Sequence, residues 1–107
     1  MERKDFENYA EKLKALGHPV RLKIAIELAV SPLSVSTLCS CLEIPQATVS
    51  QHLSILRNKG IITGERKGTS VSYSLHSEPI RDMLEQLRIS VGDLPSSAKV
   101  EMSEARA

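Results

Sequence analysis

Two groups of residues have the types and spacing for chemistry. The first lies in Ile44 to Asn58, IPQATVSQHLSILRN. At about 100° per residue around a helix, Gln46, Ala47, Ser50, Gln51, Ser54 and Arg57 fall on one side. Val49, Leu53, Ile55 and Leu56 gather on the other, with His52 between them. Solvent-facing helices normally carry Glu and Lys; short amides and hydroxyls instead donate and accept at base edges in a DNA major groove, where Gln matches adenine and an Ala methyl meets the thymine methyl. A charge-poor surface helix has the same pattern, so this helix alone leaves both readings open. The second group is Cys39-Ser40-Cys41. Residues two apart on a helix point about 200° away from each other, so an intact helix cannot bring both thiols to one ion. Cys39 is expected to pack beside Leu38, and Cys41 to be more exposed. No nucleophile with an adjacent base, phosphate-cradling glycine loop or cluster of carboxylates is visible, which argues against an enzyme.

The rest of the chain must position these groups. Its 107 residues suit one domain, expected over residues 1–92, with a tail over 93–107 rich in Ser, Ala and charge and expected to be disordered. With 41% hydrophobic and only 3% aromatic residues, the core must be aliphatic. A net charge of +1 does not suit a wholly basic polyanion binder, so any nucleic-acid site must be local. From Ile44 to His76 the charged residues are Arg57, Lys59, Arg66 and Lys67 against Glu65 alone. MERKDFENY has no apolar signal core and no run reaches membrane-spanning length, so a cytoplasmic protein without membrane contact and with reduced thiols is expected.

Phe6, Tyr9, Leu13 and Leu16 recur at helical spacing before Gly17, and predict a first helix. His18-Pro19 restarts the chain; Leu22, Ile26 and Ala29, flanked by Ile24 and Leu28, predict a second helix ending at Ser31-Pro32. Leu33-Ser34-Val35 reads as an extended connector. Ser36 is a candidate N-cap for a third helix that buries Leu38, Cys39 and Leu42 and stops near Glu43-Ile44-Pro45. A short helix, a tight break and a second, outward-facing helix make a helix-turn-helix.

After Lys59-Gly60, Ile61 and Ile62 begin a strand toward Arg66, and Val71, Tyr73 and Leu75 alternate with serines. Lys67-Gly68-Thr69 is the turn between them. This β-hairpin carries Arg66 and Lys67 at its tip, where basic side chains beside a helix-turn-helix reach phosphates or the minor groove. Ser77-Glu78-Pro79 opens a last helix with Ile80, Met83, Leu84, Leu87 and Val91 on one stripe and Gly92 closing it. The fold class is mainly α with a small β-hairpin. One small domain has difficulty burying the stripes of both terminal helices, so these are expected to pack on a second subunit.

LKALGHPVRLKI, TVSQHLSILRNKGII and RKGTSVSYSL, in this order, resemble the ArsR/SmtB family of winged-helix transcriptional repressors, over about Leu13 to Leu87. The resemblance implies a winged helix-turn-helix that is dimeric through its terminal helices and binds a pseudo-palindromic double-stranded operator, with half-sites roughly 34 Å apart. It assigns base reading to Gln46, Ala47, Ser50 and Gln51, with Thr48 off the centre of that face, and backbone holding to Arg57, Arg66, Lys67 and Thr69.

Many relatives release DNA when metal binds. The family's thiolate positions fall on Ser34 and Ser36, and its second site on Ser77, Pro79 and Ser90 with Asp93 beyond, so neither ligand set is present. His18, His52 and His76 are scattered and read as structural. Three possibilities stay open: no effector, a thiol-based redox or persulfide switch through Cys41, or soft-metal binding after the third helix rearranges or with ligands from elsewhere, with Cys39 and Cys41 as the candidate effector residues. A winged-helix protein-interaction module that never touches DNA is the alternative function; it predicts acidic or apolar residues on the exposed helix face and an uncharged wing, unlike Gln, Ser, Gln and Arg-Lys here.

Overall fold

The structure, a computed structural model, describes residues 1–91. The expected stop at Gly92 and the tail over 93–107 lie outside the described residues. Five helices and a three-stranded antiparallel sheet follow one another as α1 (Arg3–Leu16), α2 (Pro19–Val30), β1 (Leu33–Ser34), α3 (Val35–Leu42), α4 (Gln46–Asn58), β2 (Ile62–Lys67), β3 (Ser70–Leu75) and α5 (Glu78–Ser90).

Local chemistry sets most boundaries. The Glu2 N–H donates to Asp5 Oδ2 at 3.0 Å at the start of α1. Pro19 occupies the first turn of α2, where its missing N–H costs nothing, and His18 Nδ1 accepts from the Val20 N–H at 3.1 Å. Ser77 Oγ accepts from the Ile80 N–H at 3.4 Å to open α5.

Three details differ from expectation. The N-cap of α3 is Ser34, not Ser36: its Oγ accepts from the Thr37 N–H at 3.2 Å. The reason is non-local, because Leu33 and Ser34 form a third strand paired with Tyr73 and Ser72, and the chain turns helical as soon as that pairing ends. On α2 the centre of the buried face is Val20, Ile24 and Leu28, with Ile26 also buried, whereas Leu22 and Ala29 are half-buried. Lys23 and Glu27 share the inner side as an ion pair of 3.0 Å, with side chains 10% and 3% exposed, and their polarity disguised it in the sequence. On α4, Ile55 is exposed rather than part of the apolar face.

The helix-turn-helix forms as expected. Glu43 ends α3 in the left-handed region at φ 56°, its N–H bonded to the Cys39 carbonyl at 2.8 Å. The Pro45 carbonyl then accepts from the Thr48 and Val49 N–H groups, both at 3.1 Å, and α4 begins. No side chain caps α4. A cap contributes about 1 kcal/mol, whereas each of Val49, Leu53 and Leu56, all buried, contributes roughly 1.5–3 kcal/mol. Packing therefore holds the helix in place.

The sheet order is β1-β3-β2, with β3 in the middle. Ile62 pairs with Leu75 and Lys67 with Ser70, leaving Gly68 and Thr69 as a two-residue loop. Gly68 has φ 65° while Thr69 keeps a negative φ, the pattern of a type II′ hairpin. Arg81 on α5 locks the elements together: its guanidinium donates to the Ala29 carbonyl of α2 at 2.6 Å and to the Leu75 carbonyl of β3 at 3.1 Å. The aliphatic core runs from Leu16 and Ile24 through Leu38, Leu53 and Ile61 to Leu84.

Candidate nucleic-acid interface

Val49, Leu53 and Leu56 turn inward and fix which way α4 faces. Gln46, Ala47, Gln51 and Arg57 are exposed, while Thr48 and Ser50 are half-buried toward the edges of that face. The candidate base-reading side chains thus share one accessible surface at the N-terminal end of the helix, and Arg57 stands near its other end.

Arg66, Lys67 and Thr69 are exposed at the end of the hairpin. Lys67 lies 3.9 Å from Glu65, two residues away on the same strand face, in an exposed pair that contributes at most about 1 kcal/mol. Arg66 forms no ion pair among the described residues, so the tip presents cationic groups free to meet an anion.

The scaffold holds α4 at its C-terminal end and at its middle. At its C-terminal end Lys59 bonds Glu11 of α1 at 3.1 Å, and the Lys59 ammonium holds the Glu11 carboxyl below the usual carboxylate range. Lys12 is buried beside Gly60, whose φ of 75° closes the helix; its ammonium donates to Asn8 Oδ1 at 3.1 Å and lies 5.6 Å from the Tyr9 ring centre. Nearer its middle, the His52 ring meets His18 at 4.7 Å between centroids. His52 therefore lies between the faces, as the wheel places it, and in contact with the start of α2. Sequence reasoning missed the Glu11–Lys59 pair and the burial of Lys12, because charged residues on an outer helix carry no mark of their partners.

Cys39 and Cys41 are both half-buried, so the expected difference in their exposure is not one of class. Cys39 packs against the core, as expected. Among the described residues no group of three or more His, Cys, Asp or Glu side chains could hold a metal ion. The family's thiolate positions bear Ser34, which caps α3, and Ser36; Ser77 caps α5. These residues do not fit a metal.

A helix-turn-helix followed by a hairpin beside its second helix is a winged helix-turn-helix. The pattern of the bacterial regulatory protein arsR family matches residues 18–63. The chain is 36% identical over 88 residues to the transcriptional repressor PagR of Bacillus anthracis, an overlap of 81% of this chain and 88% of PagR. It is 48% identical over 65 residues to the HTH-type transcriptional repressor SmtB of Mycobacterium tuberculosis, an overlap of 61% of this chain and 48% of SmtB. The chain thus spans about half the length of that relative. The solved structure of HlyU from Vibrio cholerae superimposes with a TM-score of 0.78 at 34% identity, covering 81% of this chain and 95% of that one. The chain belongs to the arsR family of bacterial regulatory proteins. Its relatives are transcriptional regulators rather than enzymes. No helix among the described residues is long and apolar enough to cross a membrane.

Proposed function

We propose that residues 1–92 form a sequence-specific DNA-binding and dimerisation domain, and that the chain is a cytoplasmic homodimeric repressor of a pseudo-palindromic operator. The observation that carries this reading is the exposed, charge-poor end of α4, with Gln46, Ala47 and Gln51 outermost, next to a hairpin tip bearing Arg66 and Lys67. Thr48 and Ser50 border the same face. In this reading α4 enters the major groove, and Arg57, Arg66, Lys67 and Thr69 hold the backbone. PagR and SmtB are repressors by name, which supports repression; a dimer without an evident activation surface acts most simply by blocking polymerase access. The dimer reading is supported by apolar side chains left in solvent on both terminal helices: Phe6 is 61% and Leu13 48% exposed on α1, and Met83 and Leu87 remain uncovered on α5.

A thiol-directed signal would enter at α3. Cys39 packs on the core next to α4, so oxidation, persulfidation or alkylation there would disturb the packing under the recognition helix. The test is fluorescence anisotropy of the reduced protein on DNA from its own upstream region, repeated after alkylation. Tight, salt-sensitive binding is expected. Loss on alkylation assigns the sensor to Cys39 or Cys41, and survival makes both structural. In the same assay Gln46→Ala should cost about 1–3 kcal/mol on the operator and little on random DNA, whereas Lys67→Ala should weaken both and lower the salt slope by about one. Equal effects of Gln46→Ala on both duplexes would refute its assignment to base reading, and no binding at all would favour an interaction module.

A further inference from the structure

A cleft of about 480 Å³ opens between the start of α3, the first residue of α4 and the hairpin, lined by Ser34, Val35, Ser36, Gln46, Thr69, Ser70, Val71 and Tyr73. Five of these eight residues carry hydroxyls and none is charged, so no carboxylate repels an anion there. Two of the hydroxyls are engaged: Ser34 Oγ bonds Thr37, and Ser70 Oγ donates to the Lys67 carbonyl at 3.3 Å. Those of Ser36, Thr69 and Tyr73 have no partner in the chain among the described residues. Three residues with free hydroxyls therefore line one concavity from two separate elements, α3 and the hairpin. Its lining includes Gln46, a candidate base reader, and Thr69, a candidate backbone contact. The N-terminal end of α3, with its partial positive charge, forms one wall.

We propose that this cleft is a phosphodiester subsite, in which the hydroxyls of Ser36, Thr69 and Tyr73 donate to oxygens of a DNA backbone phosphate. The inference rests on the DNA-binding reading above and adds Ser36 and Tyr73 to its contacts. Hydroxyl donors suit a phosphate that must be held in register without the looseness of a lysine, and bonds to a charged acceptor are the stronger class. Because a neutral donor displaces no counterion, these contacts carry affinity without salt dependence. That property separates them from Arg66 and Lys67.

Operator and scrambled duplexes are titrated with the wild-type chain and with Ser36→Ala and Tyr73→Phe, each of which keeps the surrounding packing. Each variant should bind both duplexes about tenfold more weakly, with the wild-type salt slope. Thermal unfolding should be unchanged. Unaltered affinity in folded variants, a loss confined to the operator, or a reduced slope would each overturn the subsite. Wild-type and variant binding are also compared in inorganic phosphate and in chloride at equal ionic strength; extra competition by phosphate that Ser36→Ala and Tyr73→Phe remove supports the subsite, and extra competition that both variants leave intact places the anion elsewhere and overturns the proposal. A wild-type chain that binds neither duplex overturns the DNA reading itself and the subsite with it, an outcome distinct from wild-type binding that the variants leave untouched.

Discussion

The rings of His18 and His52 lie 4.7 Å apart at an angle of 47°, joining the N-cap of α2 to the middle of α4. His18 Nδ1 already accepts the Val20 N–H, and His52 Nδ1 is buried without a hydrogen-bond partner among the described residues. Neither ring is placed to carry a proton comfortably.

A fall in stability with acid is the first prediction. Burial, then the Arg21 charge, lowers the His18 pKa from its ordinary value; burial, then His18 and Arg21, lowers that of His52. The unfolded chain therefore takes up protons more readily than the folded one, so stability is complete above the ordinary histidine value near pH 6.5 and is lost as pH falls through it toward the folded values. Urea midpoints measured from about pH 8 to about pH 5.5 should fall at the acid end. His18→Asn keeps an acceptor for the cap and should flatten part of that slope; a flat wild-type profile would refute the account.

Gly64 should resist substitution. It pairs with Tyr73 across the hairpin, and a methyl there would lie 3.0 Å from Tyr73 Cε1 and 3.2 Å from Val71 Cγ1. Gly64→Ala should cost about 1–3 kcal/mol in thermal or urea unfolding, because the tyrosine must leave its place on the strand. No loss would mean that Tyr73 repacks without strain.

The buried pair on α2 should show the asymmetry of internal charges. Lys23→Met leaves the Glu27 carboxylate, 3.0 Å from the ammonium in the wild type, without its cation and should destabilise by about 3–5 kcal/mol. Combining it with Glu27→Leu should recover most of the loss. A double variant as unstable as the single would show that the side chains act through shape instead.

Leu13 tests the proposed seam between subunits. It is 48% exposed on α1, so Leu13→Glu should change the stability of an isolated subunit by no more than about 0.5 kcal/mol. In a dimer that buries it, sedimentation should show the dissociation constant rising at least tenfold, roughly the effect of stranding one unpaired charge. Unchanged self-association would place the seam elsewhere.

Much of this architecture was legible in the sequence, and the failures have a common cause. Periodicity found the helix-turn-helix and the hairpin because their patterns are local: Val49, Leu53 and Leu56 recur at helical spacing, and Val71, Tyr73 and Leu75 alternate. The capping role of Ser34 escapes the sequence because the pairing of Leu33 with Tyr73 joins residues 40 apart in the chain, which no local pattern reports. The inner face of α2 was misplaced because Lys23 and Glu27 look solvated until their pairing is seen. The exposed polar face of α4 and the basic hairpin tip were visible as runs of residue types. The shared cleft of Ser36 and Tyr73 was not, since it exists only when α3 and β3 are brought side by side.

Arg81 and the Glu11–Lys59 pair divide the suspension of the molecule in two. The wing hangs from α5 through the Leu75 carbonyl, and the far end of α4 hangs from α1 through Lys59. The hairpin and α4 thus each carry a tie to a different terminal helix. The two ties act as separate levers, so loosening one terminal helix slackens one of these elements and leaves the other's tie in place.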